Sequence, residues 1–405
     1  MKILHTADWH LGKKLYSVSR LEEQRAVLEE INQIADREEA DVVLVAGDLY
    51  DVINPSNDAI ELLYKSLRQL SNDGKRPVIA IAGNHDSPDR IEAPDPLARE
   101  CGIIMIGYPN SKVRPFSLLG KFEVTQSANG FLELKLEHHK TPLRIITTPY
   151  ASEIRLKEDL GDDDAETMRA ILQKQWKNLA DTYCDNKGIN LLTAHLFVNG
   201  KDEFPQEEPE GEKPIKVGNA SIIYPELFPS QVQYVALGHL HRSHFVTGGT
   251  TSVAYSGSPL SYSFSEAGHQ KKVHLVKLEA GKKPETERLN LSSGRPLKRA
   301  VFKTVEEAVA WLKENEEAFT EITMRTKTFL ETDDLRALRQ ASPHLINIIP
   351  EPEEDGQHQR RGDDIDLTKD VRHLFSDFFI KQQGQEPNDE IKDLFNEILS
   401  IKEQN

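Results

Sequence analysis

Residues 42–51 read VVLVAGDLYD, a short apolar, β-branched run closed by Gly47 and Asp48. Such a run suits a strand covered on both faces, and Asp48 stands just beyond its carboxyl end. Two other stretches have the same form. MKILHTADWH (1–10) places Asp8 and His10 after the run 3–7, and VIAIAGNHD (78–86) places Asn84, His85 and Asp86 after the run 78–82; a further buried run covers 103–106. Between the first two runs Leu21, Val27, Leu28, Ile31, Ile34 and Ala35 recur at helical spacing, so the chain opens as strand, helix, strand. Ligands bind at the carboxyl ends of strands in an open α/β sheet, so these polar groups are expected in one crevice. Gly47 and Gly83 fit loops that must turn sharply.

After Pro109 the pattern changes to amphipathic segments at 121–125 and 131–136, then a buried run at 143–148. A second, antiparallel sheet is expected to begin there. A helix is expected over 166–183, followed by strands at 190–194, 233–237, 251–256 and 272–278, with an exposed loop at 201–217. His195 closes one of these strands and Gly238-His239-Leu240-His241 closes the next; in extended chain His239 and His241 point to the same side. Asp8, Asp48, Asn84, His10, His195, His239 and His241 form an oxygen and imidazole set suited to Mn²⁺, Fe²⁺ or Zn²⁺, and one Asp shared by two ions would make a dinuclear site. A single Asp at a strand end is more often a cap or turn residue. It is the ordered recurrence of all these strand-end groups that points to metal. His5, His138, His139 and His344 read as strand or surface residues.

The chain has 405 residues, enough for two or three domains, with 38% hydrophobic and 29% charged residues. No apolar run reaches the length of a membrane span. The amino terminus lacks the form of a secretory signal, and Cys101 and Cys184 are the only cysteines, which implies a reducing, cytoplasmic setting. A net charge of −16 argues against wrapping nucleic acid by overall field. The acidic runs at 161–164, 207–212 and 351–355 read as solvated loops, so local basic patches or a partner would have to hold such a ligand. The expected organisation is a main domain at 1–280, a small α/β domain at 285–350, a linker at 351–364 and a helical tail at 365–405. The tail carries Leu367, Val371, Leu374, Phe375, Phe378 and Phe379, then Ile391, Leu394, Phe395, Ile398 and Leu399, at helical spacing. These two amphipathic helices either pack on the body or dock on a partner.

The blocks D-x-H (8–10), G-D-x-x-D (47–51), G-N-H-D (83–86), the isolated His195 and G-H-x-H (238–241) resemble the signature of calcineurin-like metallophosphoesterases. Within that superfamily TADWHLGK, VAGDLYD, AGNHDSP, LGHLHR and YSGSPLSYSFSE are similar to the SbcD group of bacterial nuclease subunits, and the likeness extends, less specifically, over essentially the whole chain. It implies an α/β fold: a β-sandwich flanked by helices, with a small α/β capping domain and a C-terminal helical pair. It implies that Asp8, His10 and His241 hold one ion, that Asn84, His195 and His239 hold the other, and that Asp48 bridges them. His85 then stays off the metals and assists the departing oxygen or steadies the phosphate. Asp51 either orients His85 or a ligand, or caps the following turn.

Two Mn²⁺ ions sharing Asp48 would activate a water and clamp the phosphate. The implied activity is exonuclease action on double-stranded DNA ends and endonuclease action on single strands and hairpins, in repair, recombination and replication. The implied assembly is a homodimer with an SbcC-type ATPase partner, away from membranes; this chain has no G-x-x-x-x-G-K-[ST] phosphate loop of its own. Arg295, Lys298 and Arg299 are candidate phosphate contacts or plain surface residues. Leu374, Phe375, Phe378, Leu394, Phe395 and Ile398 are candidates for docking on the partner's coiled coil. Tyr255 to Ser258, with Tyr262 and Phe264, read as a core turn with packing aromatics. The alternative is a stand-alone phosphoesterase for nucleotides or phosphoproteins, which needs neither cap nor tail. A scaffold without catalysis fits poorly with a complete ligand set.

Overall fold

The computed structural model describes residues 1–156, 164–201, 222–326 and 330–352, and beyond these only 374–376, 379, 387, 392 and 395. Two sheets face one another. The first has six strands in the order Glu285–Asn290, Lys272–Lys277, Lys2–Thr6, Val42–Ala46, Val78–Ile81, Ile103–Ile106. The last four run parallel, and the first two are added antiparallel. The apolar runs form strands because both faces are covered. On one side Leu4, Val43 and Val45 pack against Val27, Leu28 and Ile31 of helix Leu21–Arg37 and against Leu63 and Leu67 of helix Asn57–Leu70. On the other, Ile3, Val42, Leu44 and Ile81 meet Ile145, Leu191, Tyr234 and Ala236 of the second sheet. This is a sandwich interior, with side chains alternating between two cores.

The second sheet has eight strands, in the order His244–Val246, Ser252–Tyr255, Tyr234–Gly238, Ile189–His195, Leu143–Thr148, Phe131–Leu136, Phe122–Ala128, Ser117–Leu118. The expected antiparallel pairing holds from Leu143–Thr148 outward through Phe131–Leu136 to Ser117–Leu118. It fails in the other direction: Leu143–Thr148, Ile189–His195, Tyr234–Gly238 and Ser252–Tyr255 run parallel. Parallel neighbours need a crossover, and helix Asp164–Tyr183 supplies one, seating Leu172, Trp176 and Ala180 on Ile146, Leu192 and Val235. Parallelism puts His195 and Gly238 side by side in register at the same end of the sheet.

The first sheet takes in Glu285–Asn290, so that layer continues past residue 280. A three-stranded sheet follows, Leu297–Phe302, Phe319–Thr326, Leu345–Pro352, with helices Val305–Glu314 and Thr332–Ala341 around Ala308, Leu312, Ile322, Met324 and Leu338. It packs on the sandwich through Leu297 and Phe319 against Leu15 and Phe264. Tyr16 donates to Glu321 Oε2 at 3.0 Å, and the Arg20 guanidinium lies 5.2 Å from the Phe319 ring centre.

In the tail, Leu374 and Phe375 are helical, and the Phe375 and Phe395 rings stack at 3.9 Å. Phe378, Leu394, Ile398 and most of the expected linker lie outside the described residues. No helix among the described residues is long and apolar enough to cross a membrane.

Candidate metal centre

The strand ends converge where backbone is tight. Asp8, His10, Asp48 and His239 adopt φ of 55°, 45°, 48° and 109°, a region that non-glycine residues enter rarely and at a cost of about 1–3 kcal/mol each. Main-chain bonds hold the loops in that shape: Asp8 N–H donates to Gly47 O at 3.0 Å and His10 N–H to Asp48 O at 2.9 Å. Gly47, at φ +95°, makes the sharp turn expected of it. Gly83 is required for space instead, because a Cβ there would stand 2.1 Å from Asp48 Oδ1.

Asp48 lies in the middle of the crevice. Its Oδ2 is 3.3 Å from His195 Nε2 and 3.6 Å from His10 Nε2, while Oδ1 accepts the His85 amide at 2.9 Å. His195 Nε2 is 2.8 Å from Asn84 Oδ1, and its Nδ1 is 3.0 Å from the Ala46 carbonyl, which fixes Nδ1 as the protonated nitrogen. His10 and His241 bring their Nε2 atoms within 3.0 Å. Asp8 Oδ1 accepts the His239 amide at 2.8 Å. Its other oxygen, Oδ2, is buried and has no hydrogen-bond partner among the described residues. Donor atoms about 2.1 Å from one ion lie roughly 3 Å from each other, so these spacings suit ligands gathered around cations.

The charges favour the same reading. Asp8, His10, Asp48, His195, His239 and His241 are all buried. Burial pushes the Asp8 carboxyl up to about 7, against the pull of His195 and His241. Burial also works against the charged forms of Asp48 and His195, but their mutual attraction wins, holding Asp48 well below the carboxylate range and His195 up at about 9. A carboxyl that burial holds near neutrality becomes a ligand when a cation ionises it, and the oxygen and imidazole donors here, without thiolate, fit divalent cations.

The His85 Nδ1 lies 2.6 Å from the Asp51 main-chain carbonyl. That contact is made by the Asp51 main chain; the Asp51 carboxylate lies 3.2 Å from Lys13 Nζ and 3.9 Å from His10 Nδ1. Asp86 reads in the sequence only as a member of its motif. Buried, it accepts the amides of Leu49 (3.0 Å), Tyr50 (2.9 Å) and Gly83 (2.8 Å), tying the second strand-end loop to the third. Arg155 clamps the same loop from the other sheet's side, donating to Gly83 O and Asp86 O, each at 2.7 Å. The contact to the Gly83 amide is local, but nothing in the spacing of the sequence marks the others, whose partners are distant along the chain.

Tyr255 to Ser258, Tyr262 and Phe264 form a buried turn with packing aromatics, and the Tyr262 ring lies 5.6 Å from His10 and 6.0 Å from His241. His5 is a strand residue, as read, and is buried, with Nδ1 3.0 Å from Tyr234 OH and Nε2 3.1 Å from Leu237 O. His138 is exposed, and His139 pairs with Asp41 at 2.9 Å. On the small sheet Arg295 lies over Phe319 and donates to Glu317 O at 2.9 Å; Lys298 donates to Asn315 Oδ1 at 2.6 Å, and Arg299 is exposed.

The calcineurin-like phosphoesterase family matches residues 1–243, a span that includes every one of these candidate ligands. The chain belongs to that family. It is 36% identical to the SbcD component of the nuclease SbcCD of Bacillus subtilis over 99% of this chain and 98% of the relative. It is 33% identical to the SbcD component of the nuclease SbcCD of Rhodobacter capsulatus over 70% of this chain and 68% of the relative. Membership of the family implies a divalent metal pair, and the groups Asp8, Asp48, His195 and His10, Asp51, His85 each place potential ligand atoms within 4.8 Å of one another.

Proposed function

We propose that this chain is the nuclease subunit of an SbcCD-type complex, hydrolysing DNA phosphodiester bonds in repair and recombination. The observation that carries this reading is the position of Asp48, whose Oδ2 faces His10 on one side and His195 on the other. Asp8, His10 and His241 would hold one ion, Asn84, His195 and His239 the second, and Asp48 would be shared. When bound, the pair supplies the charge that stabilises the phosphate oxygens and makes water nucleophilic near neutral pH; Mn²⁺ suits this donor set.

The protein's own groups do the rest. The Asp51 carbonyl accepts from His85 Nδ1, which leaves Nε2 as the nitrogen that passes a proton to the departing oxygen or steadies the phosphate. The strained strand-end loops hold the ligands in place before substrate arrives. The small three-stranded domain caps the nuclease domain and grips DNA, with Lys298 and Arg299 as phosphate contacts; Arg295, stacked on Phe319, serves mainly to seat the cap. The assembly is a cytoplasmic homodimer bound to an SbcC-type ATPase through the C-terminal helices, and its substrates are double-stranded ends, single strands and hairpins. The near full-length likeness to the Bacillus subtilis SbcD protein supports this reading over a stand-alone phosphoesterase.

The deciding experiment incubates purified protein, with EDTA or with Mn²⁺, with end-labelled duplex, hairpin DNA and a small chromogenic phosphodiester. Mn²⁺-dependent shortening of the duplex and opening of the hairpin are expected. Turnover of the small ester with both DNAs left intact would overturn the nuclease reading.

A further inference from the structure

Behind His241 lies a buried ion pair that the metal site does not account for. Glu266 ends the short turn Phe264–Glu266, and Lys271 precedes the strand Lys272–Lys277; they are 5% and 8% exposed. Both lie beyond residue 243, where the family match ends. Glu266 Oε1 accepts the Tyr262 amide at 2.9 Å and stands 3.3 Å from His241 Nδ1. Glu266 Oε2 pairs directly with Lys271 Nζ. The same ammonium donates to the His241 carbonyl at 3.1 Å and to Ser258 Oγ at 2.8 Å. One ion pair therefore holds His241 twice, by its ring through Glu266 and by its main chain through Lys271.

We propose that the Glu266–Lys271 pair is a positioning device for His241 and makes the ion held with His241 the tighter of the two. A carboxylate behind Nδ1–H fixes the tautomer, directs Nε2 toward His10, and raises the basicity of the ligating nitrogen. His195 has the neutral Ala46 carbonyl in the corresponding position at 3.0 Å, with the Asp8 carboxylate farther off at 3.7 Å. On the proposed assignment the ligand charges run the same way, since the anionic Asp8 belongs to the His241 set and neutral Asn84 to the other, and ligand charge is a main determinant of affinity. The ion bound by Asn84, His195 and His239 is then the exchangeable one, loaded last. Lys271 makes the arrangement tolerable, because an unpaired carboxylate at this depth would be strongly disfavoured. This inference rests on the ligand assignment proposed above.

The test titrates the full-length, metal-stripped protein with Mn²⁺ and reads free Mn²⁺ by electron paramagnetic resonance. Wild type is expected to show two classes of site. Glu266→Gln, and Glu266→Gln combined with Lys271→Met to remove both buried charges, should weaken the tight class by roughly 10–100-fold and leave the weak class unchanged. His195→Ala should keep the tight class, and His241→Ala should lose it. An unchanged tight class in both Glu266 variants, a tight class surviving in His241→Ala, or two equivalent sites in wild type would overturn the proposal. Should a Glu266 variant fail to fold, the histidine variants still decide the order of affinity. Uptake of fewer than two ions by wild type would instead overturn the ligand assignment beneath it.

Discussion

At Asp48 the two carboxylate oxygens have different surroundings, Oδ1 on the His85 amide and Oδ2 between His10 and His195. Asp48→Asn keeps the shape but halves the oxygen donors, so neither ion retains its full ligand set. That variant is expected to be metal-poor and inactive, and metal analysis showing two ions at wild-type occupancy would remove the bridging role. On the proposed assignment His85 stays off the metals, so His85→Ala should keep both ions and lose cleavage by roughly 10²–10⁴-fold, the range of a proton-transferring group. Asp51→Asn makes a sharper distinction. Because His85 is held by the Asp51 carbonyl rather than its carboxylate, this substitution should cost far less in kcat than His85→Ala. Equal losses would show that the carboxylate itself takes part.

Among the elements, the strand Tyr234–Gly238 is fixed from both sides. A Cβ at Gly238 would lie 1.8 Å from the Ala46 carbonyl, so Gly238→Ala must part the two sheets at the point where the ligand loops meet. It should lower thermal stability by about 1–3 kcal/mol, the range typical of overpacking, and should weaken metal binding with it. Deeper in the sandwich, His5, Tyr234, His274 and Ser243 form a chain of hydrogen bonds between the sheets, at 3.0, 3.3 and 2.8 Å. Burial lowers His274 to about 3, helped by Arg288 and Lys272, and lowers His5 well below 6.5. Both are therefore neutral when folded, while their unfolded forms take up protons below pH 6.5. The unfolded state binds more protons in that window, so stability is complete above pH 6.5 and falls as the pH drops toward 3, by about 1.4 kcal/mol per unit for each proton. Denaturant melts in EDTA should show this slope, and His274→Gln should flatten it; an unchanged slope would mean that other groups dominate acid sensitivity.

On the scale of the whole molecule, the sandwich and the small sheet share the Leu15, Phe264, Leu297 and Phe319 cluster, whereas the tail belongs to a separate unit. A chain ending near Pro352, where the strand Leu345–Pro352 closes, is expected to fold, to keep Mn²⁺-dependent nuclease activity and to lose copurification with the ATPase partner. An apolar helix face on a polar tether is a common means of docking on a partner's helices. Complex formation by the shortened chain, or its aggregation, would show that the tail is part of the body.

The sequence alone was enough to place the first-layer strands 42–46 and 103–106, to place the run 78–82 within a residue of the strand Val78–Ile81, and to place the helix Leu21–Arg37, because continuous apolar runs and helical periodicity are local signals. It was also enough to nominate Asp8, His10, Asp48, Asn84, His195, His239 and His241, because each follows such a run at a strand's carboxyl end. Only the tertiary structure decided that the middle of the second sheet is parallel, since pairing direction depends on where helix Asp164–Tyr183 returns the chain. Likewise, only packing made His5 a buried link, Asp86 and Arg155 loop braces, and Glu266 with Lys271 the support of His241. Those roles are set by partners far away in the chain, whose approach is fixed by the faces the sheets present to one another, and no local pattern of residues encodes it.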